Sequence, residues 1–224
     1  MHVIGLKETI ASIDVDTQNG FTSLCPLELP VPFGEEVVDE LNQQATFAKF
    51  RIGTKDAHPA NADWVGSEYE PDFSQIIGAS NMDMRWPVHC VPGTKGFELI
   101  KGLPHVSQYD FFVYKGVEPD MHPYGGCYHD FAERVSTGLI EFLRSKGVKT
   151  VIVGGLATDY CVKETVLQLL AAGFATIVNL GACRGLTKET TEQAITLMQQ
   201  QGAIMIQSSV ELVQTGTASQ AIHG

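Results

Sequence analysis

No run of about 18 apolar residues occurs in the chain, so no segment reads as a membrane-spanning helix. Basic residues are scarce as well: 15 Lys and Arg stand against 26 Asp and Glu, a formal charge of −11. That balance argues against a nucleic-acid partner, because a phosphate backbone calls for a basic face. It is the kind of acidity that keeps a globule soluble. The five cysteines, Cys25, Cys90, Cys127, Cys161 and Cys183, include no C-x-x-C pair. An odd, scattered set points to reduced thiols in a reducing compartment rather than to a disulfide framework. The opening MHVIGLKETIASI lacks the basic and apolar regions of a secretion signal, and the expected location is cytoplasmic. Internal repeats and linkers that would split the chain are also missing. What is there is 224 residues with 44% apolar content, enough for one well-packed domain over 1–224.

Short β-rich runs alternate with helical patterns. The predicted strands are 9–15, 50–54, 110–114, 150–154, 175–180 and 203–207, several of them near-continuous in Val and Ile, as strands buried on both faces require. Predicted helices cover 35–46, 130–146, 159–172 and 188–201. Glu35 and Glu36 suit the positive start of the first, and Thr187 caps the last. Gly147, Gly173 and Gly202 stand where helices end. The β-α repetition implies an α/β fold, three layers with a mostly parallel six-stranded sheet between helices. Residues 56–106 are weakly patterned but rich in aromatics and histidines, which marks a functional loop rather than disorder. The small polar tail from about Gln214 is expected to fray.

In an open parallel sheet, ligands bind beyond the carboxyl ends of the strands. The stretch GGLATDYCVKE places Cys161 there, in the first turn of a helix with Thr158 as a natural N-cap. A helix N-terminus favours a thiolate and offers N–H groups to a developing oxyanion. A buried structural cysteine is the plainer alternative. Asp14 and Asp16 end the first strand, on the same face by alternation; either is placed to take the thiol proton, or simply to cap a loop. Lys115 follows another strand and would stabilise both anions there, unless it is a solvated end-cap. Asp56 and His58 form a D-x-H pair, and His89 lies on the long loop. Two imidazoles and a carboxylate make a credible divalent-metal set, although a loop histidine is more often at the surface.

Together the segments VDTQNGF, TKDAH, WPVHCVPGT, YKG, GLATDYCVKETV and GACRGL resemble the nicotinamidase/pyrazinamidase branch of the isochorismatase-like cysteine hydrolases, over roughly residues 10–186. The resemblance implies a triad of Cys161, Asp16 and Lys115, and it selects Asp16 over Asp14. It implies a non-proline cis peptide at Leu156–Ala157, with the Ala157 and Cys161 N–H groups as oxyanion hole. It implies metal ligation by Asp56, His58 and His89, with zinc first and iron or manganese as alternatives. Substrate walls carry over to Phe21, Trp86 and Leu156, and more loosely to Tyr124 and Tyr160. The implied substrate is nicotinamide, or pyrazinamide, hydrolysed through a thioester in NAD salvage. Members of the family often self-associate, so a homo-oligomer is among the expectations. Sister branches acting on N-carbamoyl compounds or ureidoacrylate, and a non-catalytic binding protein of the same fold, are the rival readings. Three departures stand out: Asp14 where an aliphatic residue is usual, Gly20 where Asp is common, and only Glu68 as a further metal ligand between the histidines.

Overall fold

A computed structural model describes residues 1–215. Its centre is a six-stranded sheet in the order β4-β3-β2-β5-β6-β7, all neighbours parallel. The strands are β2 (Ile10–Val15), β3 (Phe50–Asp56), β4 (Phe111–Lys115), β5 (Thr150–Leu156), β6 (Ala175–Arg184) and β7 (Ile204–Ile206). Two three-residue strands outside this sheet, β1 (His2–Ile4) and β8 (Leu212–Gln214), pair in parallel near the chain ends. Gln214, expected at the start of a frayed tail, is thus held in a strand. The tail beyond Thr215 lies outside the described residues.

The apolar runs form strands because both faces of the sheet are covered. Ala11, Ile13 and Val15 of β2 enter a core cluster with Leu139, Leu143, Val162, Val166, Leu169 and Met198. Those partners come from α2 (Leu139–Ser145), α3 (Lys163–Ala171) with the turn before it, and α4 (Lys188–Gln200). On the opposite face, Ser12 accepts a hydrogen bond from buried Gln44 of α1 (Val38–Ala45). Leu41 of α1 joins a second cluster with Phe21, Val31, Trp64 and Trp86. Each fully buried Leu or Val contributes roughly 1.5–3 kcal/mol by leaving water.

Chain order locates the crevice. From β2 the chain steps outward to β3 and β4, then returns to β5 on the other side of β2 and continues to β6 and β7. Connections therefore leave β2 and β5 in opposite directions, and the space beyond their carboxyl ends is where such sheets bind ligands. Gly155 lets these two strands close up: it sits at φ +133, and a Cβ there would meet the Val15 backbone.

Two local expectations change. The predicted helix over 130–146 shrinks to Leu139–Ser145. Ahead of it, the Asp130 side chain accepts from the Arg134 and Val135 N–H groups, and His129 N–H bonds to Val135 O. A side chain that captures backbone donors competes with helix formation. Phe131 and Val135, which share helical spacing with Leu139 and Phe142, are exposed. Thr158 does not cap; Ala157 occupies that position without a side-chain bond, and Thr158 begins a wide turn of π type, Thr158–Val162, running into α3.

Candidate active site

Four strand ends meet at one edge. Asp16 follows β2, Asp56 ends β3, Lys115 ends β4 beside it in register, and Cys161 sits in the turn after β5. All four are buried. The Lys115 ammonium lies 3.0 Å from Asp16 Oδ2 and 3.7 Å from Cys161 Sγ, and it also pairs with Asp56 Oδ1. Pro123 O accepts its remaining bond at 3.1 Å. Asp16 Oδ1 accepts from Thr54 Oγ1 at 2.6 Å, and Thr54 Oγ1 in turn accepts from the Asp16 N–H. Sulfur and both carboxylates present atoms within 4.8 Å of one another.

Asp14 plays no part in this cluster. Asp16 has φ +46, so regular strand alternation stops before it. Asp14 points toward the α1 side, where it pairs with Arg51 at 2.7 Å and accepts from Tyr109 OH at 2.9 Å. Its carboxyl is nonetheless raised, because burial outweighs the Arg51 charge.

Burial also governs the reactive groups. It raises Asp16 to about 6, with Lys115 opposing and Asp56 adding to the rise. Burial would lower the Lys115 ammonium, but Asp16, Asp56 and Cys161 raise it well above the usual range. The Cys161 thiol is pushed well above its ordinary value, chiefly by burial, with Lys115 opposing and both aspartates adding. The expected resting thiolate is therefore replaced by a neutral thiol: the helix start favours the anion, but loss of water costs it more. A proton on sulfur beside a carboxylate that titrates near 6 suits transfer during attack.

Beyond Asp56 lie three buried histidines. His58 Nε2 is 3.4 Å from Asp56 Oδ1, and His89 Nε2 is 3.9 Å from Asp56 Oδ2. Each ring's Nδ1 faces a carbonyl: His58 to Gly116 O at 3.0 Å, His89 to Pro87 O at 2.7 Å. A carbonyl only accepts, so Nδ1 carries the proton and Nε2 keeps a lone pair aimed inward. His58 Nε2 has no hydrogen-bonding partner among the described residues. Burial and the neighbouring His58 hold His89 down to about 3, hence neutral. Lone pairs, a carboxylate and orphaned nitrogens fit a divalent ion. Burial would raise Asp56, yet the Lys115 charge beside it keeps it ionised, well below the usual carboxylate range. The third ring, His122, was not singled out from sequence, because D-M-H-P in an irregular segment has no ligand spacing. Glu68, the further ligand considered, is exposed.

A narrow cavity of about 20 Å³ opens between this cluster and Cys161. Phe21, Trp86, Tyr124 and Tyr160 line it, joined by Leu29, Val31, His122 and Leu186. Leu156 does not line it; its side chain is fully buried in the core with Phe21 and Val31. Trp86 is oriented by a bond from its indole N–H to Tyr124 OH, which donates to Asp83 Oδ1. The Leu156–Ala157 peptide is cis, at the start of the turn that carries Cys161. Asp159 fastens that turn, accepting from Leu186 N–H and Thr190 Oγ1. Gln18, within the quoted VDTQNGF but given no role there, exchanges two bonds with the Asp56 backbone and so holds that residue in place.

Comparison with known proteins adds the following. The Isochorismatase domain family model matches residues 11–210. A nicotinamidase of Escherichia coli (strain K12) is 34% identical over 196 residues, 84% of this chain and 89% of the relative. Among solved structures, an Acinetobacter baumanii nicotinamidase pyrazinamidase superposes with a TM-score of 0.83 at 31% identity, covering 91% of this chain and 98% of the other. A pyrazinamidase of Pyrococcus horikoshii in complex with zinc gives 0.71 at 30% identity, covering 89% and 99%.

Proposed function

This chain belongs to the Isochorismatase domain family, and on that premise we propose that it hydrolyses nicotinamide, and pyrazinamide as its ring analogue, to the acid and ammonia. The setting is cytoplasmic salvage of pyridine nucleotides. One observation carries the reading: Lys115 bridges Asp16 and Cys161 in a buried cluster that opens into an aromatic cavity beside paired histidines.

The aromatic carboxamide enters between Phe21 and Trp86, with Tyr124 and Tyr160 closing the sides. Asp56, His58 and His89 would hold a divalent ion, zinc in the first instance, and such an ion would supply Lewis acidity at the ring end of the cavity. Held between Phe21 and Trp86, the ring would present its carboxamide carbon to Cys161, a gain from positioning. Sulfur attacks that carbon while its proton passes to Asp16. The N–H groups of Ala157 and Cys161 hold the resulting oxyanion. Asp16 returns the proton to nitrogen, the C–N bond breaks, and ammonia leaves a thioester on Cys161. Asp16, again ionised, then takes a proton from water as the water attacks the thioester, and the acid departs with the thiol restored. Lys115 keeps its charge throughout and offsets the negative charge on Asp16 and on sulfur.

Ammonia release from nicotinamide tests the reading. Cys161→Ala is expected to lose more than about 1,000-fold in kcat, since loss of a nucleophile exceeds loss of an oxyanion donor. Turnover within tenfold of wild type would refute the nucleophile assignment.

A further inference from the structure

We propose that His122 is a third imidazole ligand of the metal site, reaching it from the irregular segment after β4. This inference rests on the reading that Asp56, His58 and His89 hold a divalent ion. His122 is 3% exposed, and neither of its ring nitrogens has a hydrogen-bonding partner among the described residues. A buried imidazole left in that state forfeits hydrogen bonds it makes in water, a penalty of about 1–3 kcal/mol. A neutral imidazole has one lone pair and one N–H, and an ion would occupy the lone pair. One ring nitrogen of His122 lies within 4.8 Å of ligand nitrogens on both His58 and His89. With metal–imidazole bonds of about 2 Å, one ion spans that separation after sub-ångström side-chain adjustment. The remaining neighbours, Trp64, Trp86 and Tyr124, pack rings against it.

Consecutive backbone groups pin the segment. Met121 O accepts from the Trp64 indole, the His122 N–H donates to Asn81 O, and Pro123 O accepts from Lys115 Nζ. Holding three neighbouring residues in this way pre-positions the ring, as a ligand requires. The ammonium that serves the nucleophile therefore also anchors the third histidine. Asp56 with three imidazoles is a nitrogen-rich set. It favours zinc or iron over manganese more strongly than a two-histidine set does.

The test compares zinc affinity by chelator competition, and the visible spectrum of the cobalt-substituted protein, across wild type, His122→Gln and His58→Ala. His122→Gln is expected to weaken zinc binding at least about 10–100-fold, the range lost when even outer-shell partners are removed, and to change the cobalt spectrum. Should His122→Gln misfold, X-ray absorption of the zinc-loaded wild type reads the imidazole number directly, three being expected. Unchanged affinity and spectrum in His122→Gln, with metal lost in His58→Ala, would overturn the third ligand alone. A rise in KM with metal binding untouched would make His122 a cavity wall and likewise overturn it. Zinc retained by His58→Ala, or no zinc bound by wild type, would overturn the underlying metal reading, and this proposal with it.

Discussion

Replacing Thr54 by valine removes one hydroxyl from beneath Asp16 and leaves the shape of the buried side chain nearly unchanged. That hydroxyl donates to Asp16 Oδ1 at 2.6 Å and accepts from the Asp16 N–H at 3.1 Å. The first bond favours the ionised carboxylate, so its loss raises the Asp16 pKa further. A hydrogen bond to a charged group contributes about 1.5–3 kcal/mol, and about 1.4 kcal/mol corresponds to one pKa unit. An upward displacement of about 1–2 units follows. The free enzyme needs Asp16 ionised to accept the thiol proton, so kcat/KM falls with acid and the variant's falling limb moves to higher pH. From a midpoint of about 6, the ionised fraction at neutral pH drops from roughly nine-tenths to between a half and a tenth. Activity at neutral pH is then about 2–10-fold lower and recovers as pH rises. A cation held at Asp56 would draw the midpoint down in both proteins, so the displacement between them is the quantity to read. The assay is ammonia release against pH, with a thermal melt to show that both proteins are folded. A variant that is slower by the same factor at every pH, or whose acid limb does not move, would refute Asp16 as the proton acceptor.

Asp14→Asn should leave the position of that limb and kcat within about twofold. It should lower stability by a few kcal/mol, since breaking a buried pair with Arg51 costs about 3–5 kcal/mol; a large fall in kcat in folded protein would place Asp14 in the chemistry. Gly116→Ala should reduce metal content without touching the triad, because Gly116 has φ +68 and a Cβ there runs into the His58 ring. Metal analysis of the purified variant checks this, and full occupancy would show that His58 does not need its present position.

Much of this arrangement was legible because a parallel sheet gives sequence a direction. A strand buried on both faces shows as an unbroken apolar run, and the residue just past each run must fall at the same edge. That is enough to gather Asp16, Asp56, Lys115 and Cys161 from separations of up to 145 positions (161 − 16). The same logic fails wherever a partner is chosen by tertiary contact alone. Nothing local ties Asp14 to Tyr109, 95 residues on. The pairing of β1 with β8 rests on three-residue strands too short to carry a pattern. The stripe at Phe131 and Val135 has helical spacing, yet Asp130 takes the backbone donors a helix would need. Cys161 is the most instructive case. Its local setting, at the start of a helix, argues for an anion. Burial removes the water an anion needs and pushes the thiol well above its ordinary value. Position in the chain therefore predicts which atom reacts. On the proposed mechanism, the protonation state from which it reacts is set by how deeply the fold buries it, and that depth, not the helix start, gives Asp16 its role.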